Sequence, residues 1–143
     1  MAEYYLSYFK LISDSGLLVL IWLVQLIIYP SFKYCSDLQL SKWHPIYTRR
    51  ITFVVLPLML SQLILTILLC FRLEWSFFSI IDLTLVLLTW ILTFVIFVPL
   101  HQKIDERSSE KNDTYISKLV EYNWSRTLLW TAIFILTAKR LIL

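Results

Sequence analysis

The residues able to do chemistry in this 143-residue chain are few: two histidines, one arginine set inside an apolar run, and some amides and phenols near them. The histidines are His44 and His101. Two imidazoles with a carboxylate or amide make a ligand set for a transition metal, and paired histidines also ligate haem. Asp105, Glu121 and Asn123 stand as third partners. No HxxH, ExxH or HExxH spacing accompanies the pair. Either imidazole also suits general-base work near neutral pH. The plainer reading is a pair of interfacial histidines bonded to loops or lipid heads.

Arg126 is the second candidate. The uncharged run Thr127 to Ala138 covers only about 18 Å at the helical rise, short of a ~30 Å hydrocarbon core. A full span must reach back to about Leu119, which takes Arg126 into the membrane, where an ionisable side chain is costly and marks a site. One reading is a clamp: with Asn123, Arg126 polarises a substrate oxygen or binds a carboxylate, phosphate or enolate. The other is a structural tie to Gln25, to Tyr29 or to helix-end carbonyls. Residues three or four apart share a helix face. Gln25 with Tyr29, and Asn123 with Arg126, Thr127 and Trp130, therefore form inward stripes. The candidate set is His101, Arg126 and Asn123 for catalysis, Gln25, Tyr29, Tyr47 and Trp130 for substrate binding, and His44 with His101 for a metal or haem.

These residues need helices to position them. The chain is 59% hydrophobic and 16% charged, with a mean hydropathy of +0.72. Soluble domains carry ~25% charge, and so short a chain has too little interior to hide that much apolar surface. With a single glycine, no P-loop or dinucleotide fingerprint is present. A net charge of +3 without a clustered basic face speaks against nucleic acid. The expectation is an all-α integral membrane protein, a single up-down-up-down four-helix bundle. An aromatic interfacial segment covers residues 2–12, and spans cover about 16–30, 51–71, 76–100 and 119–138. Ser13, Asp14 and Ser15 offer an N-cap to the first span and Pro30 ends it. The 31–48 loop has room for a short surface helix. Arg72 and Glu74 mark a tight turn, and Pro57 and Pro99 kink their helices. No convincing internal repeat is present. Asp82 pairs with Lys10, Lys139 or Arg140, while Gln62 bonds between helices mid-membrane. Cys35 and Cys70 fall at opposite faces, too far apart to bridge.

Loop charge sets orientation. Lys33, Lys42, Arg49, Arg50, Lys103, Arg107, Lys111 and Lys118 lie on one face, against Lys10, Arg72, Lys139 and Arg140 on the other. Loops 31–50 and 101–118 are thereby expected in the cytoplasm, in a plasma or inner membrane, with both termini outside. The His, Arg, Tyr and Gln candidates converge on that cytoplasmic end.

The pieces Gln25-Leu26-Ile27-Ile28-Tyr29-Pro30, Val98-Pro99-Leu100-His101 and Asn123-Trp124-Ser125-Arg126-Thr127 resemble small four-span bacterial membrane proteins of uncharacterised type. These are similar to the anthrone oxygenase-like group. The resemblance implies a lipophilic aromatic substrate oxidised towards a quinone. The expected function is a small oxidoreductase-like intramembrane enzyme for a lipophilic substrate, with membrane lipid and a lipophilic small molecule as partners. The rival expectation is a non-catalytic subunit or assembly factor, held to a partner membrane protein or to further copies of itself. A transporter would need an oligomer whose path is lined by Asp82 and Gln62.

Overall fold

The computed structural model describes residues 2–106 and 112–142; the expected loop charges Arg107 and Lys111 lie outside them. All four long elements are helices, and no strand occurs among the described residues. We label them α1 (residues 2–34), α2 (Asp37–Arg72), α3 (residues 77–106) and α4 (Asn112–Ile142). Each packs on two neighbours, α1 on α2 and α4, and α3 on α2 and α4. Contacts fix the directions. Ser13 meets Ser61 and Gly16 meets Leu58, so α1 and α2 are antiparallel. Cys70 meets Ser79 and His44 meets Asp105, so α2 and α3 are too. Lys10 meets Thr137 and Gln25 meets Asn123, which sets α4 against α1. Across the diagonal, Lys10 to Asp82 and Tyr29 to His101 share one sequence offset, 72, so α1 and α3 run parallel in register.

Three expectations about boundaries are corrected. Helix α1 begins at Ala2 rather than after residue 12, so Asp14 is a mid-helix residue and not an N-cap. Pro30 does not end the helix. It lacks an N–H and its ring crowds the carbonyl four residues back. The turn widens instead into the π segment Val24–Ile28, closed by a bond from the Tyr29 N–H to the Val24 carbonyl. Pro99 acts in the same way on Thr93–Phe97, where the Val98 N–H reaches the Thr93 carbonyl. Finally, residues 37–50 are no loop: α2 starts at Asp37, where Ser36 and Gln39 form a capping box, and His44 stands on this helix.

The bundle buries an apolar core that includes Leu17, Ile21, Phe32, Val86 and Ile133, and many polar groups with it. Lys10, Asp14, Gln25, His44, Gln62, Asp82, Asn123, Arg126 and Thr137 are buried, whereas Phe53, Phe71, Phe77, Val95 and Leu128 are exposed. Helices α1, α2 and α3 are long and apolar enough to cross a membrane. Helix α4 is less apolar: Asp113, Lys118, Glu121, Ser125 and Lys139 are exposed and Asn123, Arg126, Thr127 and Thr137 buried, while Tyr122, Trp124, Leu128 and Ile135 face out.

One buried cluster ties three helices together. Lys10 Nζ donates to Asp14 Oδ2 at 2.8 Å, to Asp82 Oδ1 at 3.2 Å and to Thr137 Oγ1 at 2.8 Å. Gln62 Nε2 donates to Asp14 Oδ1 from the fourth helix, at 2.6 Å. Lys10 is therefore an internal cation and not a surface charge. Removing one partner of a buried ion pair leaves the others uncompensated. Lys10→Met should destabilise the bundle by about 3–5 kcal/mol, and adding Asp14→Leu and Asp82→Leu should recover much of the loss. Unfolding titrations of the three proteins in one detergent check this.

The α2–α3 turn stores strain. Glu74 and Trp75 hold φ of 47° and 57°, the left-handed region that costs an L-residue about 1–2 kcal/mol. The Trp75 N–H bonds the Cys70 carbonyl and the Ser76 N–H bonds that of Leu73, which locks the turn. Glu74→Gly should raise stability by about 1 kcal/mol, read as a higher midpoint in thermal unfolding.

Candidate functional site

At the other end of the bundle, the polar stripes of all four helices meet in one hydrogen-bonded chain. It begins at Asp105 on α3, whose Oδ1 lies 2.6 Å from His44 Nδ1 on α2. His44 Nε2 lies 3.0 Å from His101 Nδ1, back on α3. His101 Nε2 lies 3.1 Å from the Tyr29 hydroxyl on α1. That hydroxyl accepts from Arg126 Nη2 on α4 at 3.2 Å.

The donor inventory directs every bond. Arginine can only donate, so Tyr29 accepts from it and has its own proton left for His101 Nε2. With both rings neutral, His101 then carries its proton on Nδ1 and gives it to His44 Nε2. His44 likewise carries its proton on Nδ1 and gives it to the Asp105 carboxylate. One order, Arg126 to Tyr29 to His101 to His44 to Asp105, satisfies all four bonds. It links a guanidinium to a carboxylate through three neutral groups.

Arg126 is held from behind. Its Nε and Nη2 donate to Asn123 Oδ1 at 3.0 and 2.6 Å. Asn123 Nδ2 donates to Gln25 Oε1 at 2.9 Å, and Gln25 Nε2 to the Val120 carbonyl at 3.1 Å. The guanidinium carbon lies 3.6 Å from the Phe97 ring centre and 5.7 Å from that of Trp130. Such desolvated cation–π contacts contribute about 2 kcal/mol or more. Phe32 packs edge-on to both His44 and Tyr47, fixing the orientation of each ring.

A cavity of about 620 Å³ borders the chain, within the ~300–1,000 Å³ range of small-molecule sites. Tyr29, Tyr47, His101, Asp105, Arg126 and Trp130 line it, beside apolar wall from α2 and α3. Of the expected site residues, Tyr29, Tyr47, His101, Arg126 and Trp130 therefore reach the cavity. Asn123 and Gln25 do not: both are sealed behind Arg126 and hold it in place. His44 is sealed as well, behind His101.

The histidine pair does not fit the expected metal or haem. All four ring nitrogens are engaged, two of them with each other, which leaves no lone pair directed at a common centre. No group of three His, Cys, Asp or Glu among the described residues is placed to hold a metal ion. Glu121, named as a third partner, is exposed.

Sequence reading missed Asp105 as the end of a relay and Phe32 as its packing support. The spacing of Asp105, four residues beyond His101 on one helix face, carried the first signal. Phe32 carried none. Cys35 and Cys70 are free and lie at opposite ends of the bundle, as expected. Compared with protein-family models, with curated proteins and with solved structures, the chain matches none.

The donor order is testable directly. In ¹⁵N-histidine spectra of the neutral form, both imidazoles should carry the proton on Nδ1. An Nε2–H signal from either ring breaks the assignment. Tyr29→Phe leaves His101 Nε2 without its donor and should cost about 1–3 kcal/mol of stability.

Proposed function

We propose that this chain is a small four-span integral membrane enzyme that moves a proton to and from a lipophilic substrate held in the α2–α3 cavity. The large apolar side chains on the outer surface and the three long apolar helices support the membrane reading, since extensive exposed apolar surface suits a hydrocarbon solvent. Asp14 and Tyr29 lie fifteen residues apart on α1, about 22 Å. A ~30 Å hydrocarbon slab that covers the bundle between them cannot leave both polar clusters outside it. With Lys10 buried, the flanking cations divide eight against three, which favours the site end in the cytoplasm of a plasma or inner membrane.

The observation that carries the enzyme reading is the unbroken relay from the cavity wall to Asp105, whose side chain is 31% exposed. A substrate proton accepted by the Tyr29 oxygen lets Tyr29 pass its own proton to His101 Nε2. His101 then passes the Nδ1 proton to His44 Nε2. The proton comes to rest on His44, now doubly protonated beside the Asp105 carboxylate. Running backwards, the same shift frees the Tyr29 O–H to donate into the cavity. The chain is therefore both general base and general acid, and Arg126 stabilises negative charge developing on the substrate oxygen.

Lipid extracts of cells producing the wild type and His101→Asn, compared by mass spectrometry, test the proposal. At least one lipophilic species should change with the wild type and not with the variant. Turnover of that species by purified His101→Asn should fall by about 10²-fold or more. Identical extracts, with the protein recovered in a stoichiometric complex with a larger membrane partner, would sink the enzyme and favour the subunit.

A further inference from the structure

Resting on that reading of the cavity, we infer that its substrate class is a single-chain lipid with a carboxylate head, which enters sideways between α2 and α3.

The charge balance points to an anion. Among the described residues no carboxylate lies within ion-pair distance of Arg126. Its nearest link to one is the relay to Asp105, and that oxygen is already held by His44 at 2.6 Å. A guanidinium in a low-dielectric site without a direct counter-ion favours an anionic occupant. The bonds to Asn123 and Tyr29 use Nε and Nη2 and leave Nη1 uncommitted. The Tyr47 hydroxyl makes no hydrogen bond among the described residues and belongs to the same cavity wall. Two spare donors beside one charge suit the two oxygens of a carboxylate. At the rim, exposed Arg49 adds a second cation and has no ion-pair partner among the described residues.

The apolar part follows from the walls. Helices α2 and α3 are joined at one end by Cys70 and Ser79 and at the other by His44 and Asp105. The opening between these contacts is a window in the side of the bundle, not a pore along its axis. Phe53 and Phe94 stand on its two sides, 74% and 58% exposed, beside exposed Leu56 and Val98, and half-buried Val55 and Trp90 continue the apolar surface inward. A lipid can slide from the surrounding hydrocarbon into this window without crossing water. The head then reaches Arg126 and Tyr47 while the chain lies along α2 and α3.

The test is photo-crosslinking of the protein in lipid nanodiscs with a diazirine fatty acid and the matching diazirine fatty alcohol. The acid should label peptides from 47–59 and 90–105, about tenfold more than the alcohol, the effect of one charged hydrogen bond. Arg126→Gln should bring the acid down to the level of the alcohol. Should that variant not fold, Tyr47→Phe must still lower labelling by the acid and leave that by the alcohol unchanged. Equal labelling by the two probes, or acid labelling unaffected in both variants, overturns the carboxylate head. Labels spread evenly over the outer surface overturn the window. Competition by phosphatidic acid but not by unlabelled fatty acid overturns the single-chain carboxylate. Crosslinking as expected, with no lipid changed in cells, would keep the binding site and defeat only the enzyme.

Discussion

The bond from Arg126 to the Tyr29 hydroxyl governs the functional end of this molecule. Arginine offers protons and accepts none, and at the far end the Asp105 carboxylate accepts and offers none, so with both rings neutral the two ends together impose one direction on the bonds between them. Tyr29 must donate to His101, His101 to His44, and His44 to Asp105. The three helices that carry those residues are thereby tied to α4 in a single register. The layer behind it exists to hold the guanidinium: Asn123 takes two of its N–H groups, Gln25 takes Asn123, and Phe97 lies flat beneath. Metal ligation and this relay are competing uses of the same ring nitrogens, and the geometry is committed to the relay.

Polar contacts also hold the helices to one another: many large apolar side chains face outward, and interhelical hydrogen bonds join the helices at both ends of the bundle. Close approach is visible where Gly16 lets Leu58 against α1: a Cβ there would come within 3.3 Å of it. The Lys10–Asp14–Asp82–Thr137 cluster joins α1, α3 and α4, and Gln62 brings in α2. The two polar centres also touch. Trp130 Nε1 donates to Gln62 Oε1 at 3.3 Å, and the Trp130 ring lies near Arg126. Because indole nitrogen only donates, that link couples the centres mechanically and interrupts any proton path between them.

The two π segments show how local chemistry serves the site. Each comes just before a proline, Pro30 and Pro99, and each lies on a helix that lends a residue to the relay. A proline that would otherwise break the helix is accommodated here by one widened turn. Gln25 and Phe97 sit within those turns, Tyr29 and His101 just beyond them. Such bulges often mark functional positions because they re-aim side chains without interrupting the rod.

Much of the fold was legible in the chain itself. Long apolar runs and short connections specify four antiparallel helices, and polar residues at spacings of three and four specify stripes that meet at one end. Asp82 finding Lys10, and Gln62 bonding between helices, follow from the scarcity of partners in an apolar sequence. The boundaries were not legible. Hydropathy averages over a window and ends a span at Asp14 or Pro30, whereas a helix continues wherever its charges find partners or its proline finds a wider turn. Nor could the sequence choose between a metal pair and a relay at His44 and His101, or separate Tyr29 in the cavity wall from Gln25 behind Arg126. The number and type of the polar groups came from the sequence. Their order in the chain, and which of them face open space, came from packing, because a hydrogen bond depends on distances of a few tenths of an ångström between residues far apart in sequence.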